Sequence, residues 1–139
     1  MNNQTIQLVN KKIIYFDDSA ILVKAVKEII VKKFPDISII TFTEHDVFTQ
    51  HVFDCLDMSE TIDLIITDFL HPSPNCYELA KAIRSYEQKY YKRIPILVFT
   101  MVEPNTEIIK GLRENVFNKY LSLTIEEETL FDYIDSVLY

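Results

Sequence analysis

The sequence predicts an α/β fold, a doubly wound five-stranded parallel sheet with helices on both faces. Three observations carry that prediction. Short apolar runs alternate with longer amphipathic ones along the whole chain. The short runs KIIYF, ISIITF, IDLIIT and IPILVFT are almost continuously apolar instead of alternating with polar residues, as expected for strands covered on both faces. The longer runs repeat their apolar residues at helical spacing, so each pair of strands is joined by a crossover helix.

In order along the chain, KIIYF at 12–16 is a buried strand that exits into Asp17 and Asp18. Residues 19–34 have helical spacing with Leu22, Val26, Ile29 and Ile30 on one face. Lys32 and Lys33 suit the negative end of that helix, and Pro35-Asp36 stops it. The β-branched run at 37–42 is a second strand, and 44–56 a second, less strongly patterned helix. A third strand at 62–67 runs into Asp68, and the prolines of His71-Pro72-Ser73-Pro74-Asn75 make a loop. Residues 77–90 form a helix with Leu79, Ala80, Ile83 and Tyr90 roughly on one side. A fourth strand at 94–100 ends on Thr100, a short helix follows at 104–113, and 117–121 is a fifth strand. Thr124 with Glu127 reads as a capping box that opens a last helix carrying Leu130, Ile134 and Val137. Five successive βα units with right-handed crossovers favour the flavodoxin-like strand order 2-1-3-4-5, whose ligands sit beyond the carboxyl ends of strands 1 and 3.

Composition bounds the function. A chain of 139 residues, 48% hydrophobic and 25% charged, is expected to fold as one globular domain (1–139, core about 11–138). Its net charge of −7 disfavours duplex nucleic acid or an anionic membrane as a direct partner. No apolar run approaches the roughly 18 residues that span a bilayer, and the N-terminal lysines follow the apolar patch, the wrong order for a signal peptide. Cys55 and Cys76 have no metal-like or redox-like spacing, so a cytoplasmic protein with reduced thiols is expected. Gly111 is the one glycine, which excludes every glycine-rich phosphate loop.

The 2-1-3-4-5 order brings the end of strand 1 beside the end of strand 3, so Asp17, Asp18 and Asp68 converge. Two unit charges 4 Å apart repel by about 4 kcal/mol at an effective dielectric near 20, and a cation relieves that cost. Carboxylate oxygens with room for water suit Mg²⁺. A carboxylate beside an Mg²⁺-held phosphate is also the setting for phosphoryl transfer to an aspartate. Taken singly, Asp18-Ser19 as a helix cap and Asp68 as a turn acid are ordinary readings; together at adjacent strand ends they are not.

Over nearly its whole length the chain resembles the receiver domain of two-component response regulators. The acid pair after strand 1 matches Asp17 and Asp18, and DFLHP matches the phosphoacceptor Asp68 with its following Pro72. The resemblance implies an Mg²⁺ site built from Asp17, Asp18, Asp68 and the backbone carbonyl of Leu70. It implies that Thr100 hydrogen-bonds the phosphoryl group and that Tyr120 is an aromatic switch. It further implies a signalling module rather than an enzyme. A sensor histidine kinase or phosphotransfer protein would supply the phosphoryl group, and output would pass through the face of helix 4, strand 5 and helix 5. No output domain is expected in the chain itself.

Two departures stand out. Cys76 occupies a position where the family usually has glycine, and Leu123 the position of the lysine that contacts the phosphoryl oxygens, with Thr124 in place of the following proline. Lys119 lies four residues earlier, about 13 Å away along a strand at about 3.3 Å per residue, too far to substitute. The alternative reading is therefore a degenerate receiver, an interaction module that works without phosphorylation. A third, an Mg²⁺-dependent phosphohydrolase of the haloacid-dehalogenase kind, lacks its Asp-x-Asp pattern, since Asp17 is followed at once by Asp18 and Ser19. His45, His51 and His71 share no metal spacing and read as surface residues, His71 close to the acidic site. Glu126, Glu127 and Glu128 read as helix-opening charge, and Tyr86, Tyr90 and Tyr91 as packing.

Overall fold

Strands and helices alternate without interruption through the computed structural model, which describes residues 10–69, 76–90 and 93–139. The elements are β1 (Lys12–Phe16), α1 (Ala20–Lys33), β2 (Ser38–Phe42), α2 (His45–Asp57), β3 (Leu64–Thr67), α3 (Cys76–Tyr90), β4 (Ile96–Thr100), α4 (Thr106–Arg113), β5 (Lys119–Ser122) and α5 (Glu127–Leu138). All strand pairs are parallel, and the sheet order is β2-β1-β3-β4-β5, as the sequence predicts.

The period of two along each strand divides the core into two layers. Ile14, Phe16, Ile65, Ile96 and Val98 face a cluster with Phe48 and Val52 of α2, Leu79 and Ile83 of α3, and Ile108 of α4. Ile13, Tyr15, Leu64, Ile66, Leu97 and Phe99 face the other cluster, with Val23, Val26 and Ile30 of α1 and Leu130, Ile134 and Leu138 of α5. Both faces of every central strand are thus covered, which explains the unbroken apolar runs. Full burial of one such side chain contributes about 1.5–3 kcal/mol.

Local signals account for most boundaries. Ser19 caps α1 by accepting from the Leu22 N–H at 3.3 Å. Asn105 does the same for α4 from the Ile108 N–H at 2.9 Å. The apolar face of α1 is centred on Val23, Val26 and Ile30, so Leu22 is only half-buried. The expected capping box at Thr124 does not form. Thr124 instead turns back on Ser122, whose side-chain oxygen accepts its N–H at 3.1 Å, and α5 begins after Glu126, which makes no side-chain cap bond. Strand β5 starts two residues later than expected, because Phe117 is not a strand residue but a buried plug under α4.

Arg84 and Glu87 of α3 are a pair that apolar periodicity does not reveal. Glu87 is 6% exposed, its carboxylate pairs with the Arg84 guanidinium at 2.8 Å, and it accepts the Ile94 N–H. Arg84 also donates to the Ile94 and Val116 carbonyls and to Asn118 Oδ1, so one ion pair satisfies the backbone at the entry to β4 and β5. That end of the sheet lies opposite the acidic residues.

Gly111 lets Phe117 close against α4. A Cβ built on Gly111 would lie 2.4 Å and 2.5 Å from two ring carbons of Phe117, which is itself 1% exposed. The Gly111 carbonyl accepts from both the Val116 and Phe117 N–H groups, and Asn115 takes the left-handed conformation at φ 61° that makes this return possible. Alanine usually stabilises a helix over glycine by roughly 0.5–1 kcal/mol. Here overpacking, typically about 1–3 kcal/mol, outweighs that gain. Gly111→Ala is therefore expected to lower the Tm in thermal denaturation; a rise in Tm would show that the Phe117 contact is not tight.

Candidate functional site

Three carboxylates meet at the carboxyl edge of the sheet because β1 and β3 are neighbours. Phe16 pairs with Thr67, and the next residues extend the ladder: the Asp17 N–H donates to the Phe42 carbonyl and the Asp68 N–H to the Phe16 carbonyl. Asp17 is 2% exposed, Asp68 is half-buried and Asp18 is exposed. One carboxylate oxygen from each of the three lies within 4.8 Å of the others. The expectation that Asp17, Asp18 and Asp68 converge is met. Leu70, the expected carbonyl donor, lies outside the described residues, as do His71, Pro72 and Tyr91.

Each carboxylate is held differently. Asp17 Oδ1 accepts the Ser19 N–H at 2.8 Å, whereas the buried Oδ2 has no hydrogen-bond partner among the described residues. Asp68 Oδ1 accepts from the Phe69 N–H at 2.9 Å and from the Thr100 hydroxyl. Among the described residues no lysine, arginine or histidine forms an ion pair with the trio. Burial above all, and then Asp68 and Asp18, push Asp17 up to about 7 against the lowering pull of the Ser19 N–H. Burial also raises Asp68, with Asp18 adding to it and Thr100 opposing it.

An orphaned buried carboxylate oxygen beside two further carboxylates is the donor set of a hard divalent cation. In an octahedral Mg²⁺ site at 2.0–2.1 Å neighbouring ligands lie about 2.9 Å apart and opposite ones about 4.2 Å, so three oxygens within 4.8 Å of one another would draw together around the ion. The residues present fit such an ion.

Beyond the carboxylates a line of hydrogen bonds leads to strand β5. Thr100, 1% exposed at the end of β4, donates to Asp68 and accepts the Val102 N–H at 3.2 Å. The Val102 carbonyl accepts the Tyr120 hydroxyl at 2.7 Å. Asp68, Thr100 and Tyr120, singled out separately in the sequence, are thus connected through one loop residue that sequence reasoning missed.

Ser122 pairs with Thr100, so Leu123 is the next residue toward the site, and its N–H donates to the Thr100 carbonyl. Its side chain is half-buried against the apolar cluster of α1 and α5. Lys119 pairs with Leu97 at the other end of β5 and is exposed. Cys76 opens α3 as a buried core residue, its thiol held well above the usual range first by burial and then by Asp68.

His45 and His51 correct the surface reading. His45 and His51 are both half-buried. His45 sits edge-on to Phe16 at 5.5 Å, with its Nε2 buried and unpartnered among the described residues, and burial lowers its pKa. His51 lies 5.0 Å from the Phe42 ring and 3.5 Å from the Cys55 sulfur. A helical spacing of His45, Phe48 and His51 beside the aromatic exit of β1 was the available signal.

No family model matches the chain. The Chemotaxis protein CheY homolog of Campylobacter jejuni is 28% identical over 127 residues, covering 91% of this chain and 92% of that protein. Among solved structures, Vibrio cholerae chemotaxis protein CheY4 superposes with a TM-score of 0.73 at 22% identity, covering 94% of this chain and all of that one. The receiver domain of the histidine kinase CKI1 from Arabidopsis thaliana, in a complex with Mg²⁺, gives 0.73 at 19% identity, covering 91% of each chain. Response regulator TrrA from Thermotoga maritima, in complex with Mg²⁺-BeF, gives 0.67 at 19% identity, covering 92% of this chain and 99% of that one. The structural likenesses establish the fold, and the resemblance to the receiver domain read from the sequence is borne out. No helix among the described residues is long and apolar enough to cross a membrane.

The buried carboxylates make stability depend on pH. Asp17 titrates near 7 in the folded chain against an ordinary value of 3.8, so between those values the folded state holds a proton that the unfolded state has released. Its contribution is therefore greatest at low pH and is lost as pH rises toward and through 7. In chelator-treated protein the Tm is expected to fall as pH rises from about 5 to about 7.5, and Asp17→Asn to flatten that fall. An unchanged slope in the variant would show that Asp17 is not the group responsible.

Proposed function

We propose that this chain is a phosphoacceptor switch of the receiver kind, with Asp68 taking a phosphoryl group from a sensor histidine kinase or phosphotransfer protein. The observation that carries this reading is the position of Asp68: beside Asp17 and Asp18 on one side, and bonded to Thr100 on the other. Asp68 is the nucleophile: its oxygen attacks phosphorus, the donor's bond to phosphorus breaks, and an acyl phosphate forms. Asp17, Asp18 and Asp68, with the Leu70 carbonyl, would hold Mg²⁺, which neutralises charge on the transferred group. The Mg²⁺ complex of the CKI1 receiver and the Mg²⁺-BeF complex of TrrA support that choice of ion by analogy.

The chain's own residues then relay the change. A phosphoryl oxygen on Asp68 is a stronger acceptor than the carboxylate and draws the Thr100 hydroxyl toward it. Val102 is bonded to Thr100, and Tyr120 to Val102, so a shift of Thr100 reaches the surface between α4 and β5. Ile109 and Met101 are exposed there and would meet an output protein. In this reading the chain is a binding switch and not an enzyme, acts in the cytoplasm, and contacts neither nucleic acid nor membrane directly.

Leu123 favours a second reading, a degenerate receiver that binds its partner without phosphorylation. An apolar side chain packed into the α1–α5 cluster supplies no charge to a phosphoryl group. Intact mass after incubation with a small acyl phosphate and Mg²⁺ separates the two. The switch predicts one added phosphoryl group in wild type and none in Asp68→Asn; no adduct in wild type would leave the interaction module.

Mg²⁺ alone gives an independent check. At about 100 times its dissociation constant, a ligand of the folded state adds about 2.7 kcal/mol, a Tm rise of several degrees for a chain of this size. That rise is expected in wild type at neutral pH and should largely vanish in Asp17→Asn. An equal rise in both would place the ion elsewhere.

A further inference from the structure

We propose that Tyr15 is a positioning residue of the acidic site, its hydroxyl donating to Asp17 Oδ2 through one buried water. It thereby supplies a donor from strand β1 where Leu123 brings none from the end of β5. The inference rests on the reading of Asp17 as an ion ligand beside the acceptor Asp68.

Two unsatisfied polar atoms carry it. Tyr15 is wholly buried, and its hydroxyl has no hydrogen-bond partner among the described residues; Asp17 Oδ2 is buried and unpartnered in the same way. One is a donor and the other an acceptor. Tyr15 lies in β1 and Asp17 just past its end, where the Asp17 N–H continues the ladder to the Phe42 carbonyl, so a strand's period of two puts both side chains on the same face of the sheet. Asp17 and Asp68 both act electrostatically on the phenol, in keeping with that shared face. Buried polar groups in folded chains are nearly always paired, and leaving both of these unpaired is costly. A buried water needs polar partners, and this corner offers two.

Filling space does not explain the hydroxyl. Tyr15 shares its apolar cluster with Val23, Val26 and Ile30 of α1, and Leu123 packs against the same cluster. A phenylalanine would fill that volume without burying an oxygen. The tyrosine is explained if its oxygen faces the site. With Ser19 N–H on Oδ1 and Tyr15 on Oδ2, both oxygens of Asp17 are oriented while each keeps a lone pair for a cation. A neutral donor fixes the ligand without adding a positive charge that would compete with the ion.

Tyr15→Phe removes the oxygen and little else. In metal-free protein it is expected to lower the Tm, and to have no such effect when Asp17→Ala is already present. Equal Tm shifts in the two backgrounds, or a higher Tm for Tyr15→Phe alone, would overturn the pairing. With Mg²⁺ alone as the probe, Tyr15→Phe is expected to bind about tenfold more weakly, the size of effect found for groups that orient metal ligands. Unchanged affinity would overturn the positioning role. The thermal cycle contains neither metal nor phosphate, so it tests Tyr15 whatever the fate of Asp68. Failure of the acceptor reading appears instead as a missing phosphoryl adduct in wild type.

Discussion

The adjacency of β1 and β3 in a parallel sheet is the constraint on which the site depends. Parallel strands present their carboxyl ends on one edge, so residues just beyond Phe16 and Thr67 must lie side by side. Both strands are central and covered on both faces, which removes water from one side of whatever follows them. Asp17 is accordingly buried almost completely, and mutual repulsion and desolvation act on it together. A chain that needed only stability would place apolar or neutral residues there, since an uncompensated buried charge is among the costlier features of a fold. Acids at that point are what the proposed ion site would need.

The opposite edge of the sheet shows how the fold sustains this. Arg84 and Glu87 close the backbone groups that enter β4 and β5, and Phe117 locks α4 against Gly111. The end closed by Arg84 and Glu87 lies away from the acids, while the Tyr15 hydroxyl and Asp17 Oδ2, both without a hydrogen-bond partner among the described residues, lie at their end. Closed backbone groups and unpartnered polar atoms thus lie at opposite ends of the strands.

Elements and order were legible in the sequence because burial on both faces leaves a strong signature, and β1 and α1 were placed within a residue of their observed positions. Boundaries failed where tertiary contacts overrode local rules. Thr124 carries the right spacing for a capping box, yet its N–H is taken by Ser122, and Phe117 looks like a strand residue but fills the space that Gly111 leaves. At the site, the convergence of Asp17, Asp18 and Asp68 followed from topology alone. The route from Asp68 to Tyr120 did not, since Val102 joins it through backbone atoms and its side chain gives no hint. Tyr15 was hidden for the opposite reason: in sequence it is one more aromatic in an apolar strand.

Charge balance at the site gives Leu123 its meaning. Three carboxylates with one divalent ion leave a net negative pocket, and turning one carboxylate into an acyl phosphate makes it more negative still. A lysine at the end of β5 would offset one unit of that charge; the leucine in its place offsets none, and Lys119 is at the wrong end of the strand. Neutral donors remain, the Thr100 hydroxyl on Asp68 and, in the proposed water-bridged pairing, the Tyr15 hydroxyl toward Asp17. Such donors orient oxygens well but contribute less than a charged partner, about 0.5–1.5 kcal/mol against about 1.5–3. An acyl phosphate on Asp68 would therefore be held by geometry and a metal ion more than by protein charge. The electrostatic penalty of forming it would be correspondingly larger, and a cationic group on a bound partner would have more to contribute here than in a pocket that carries its own lysine.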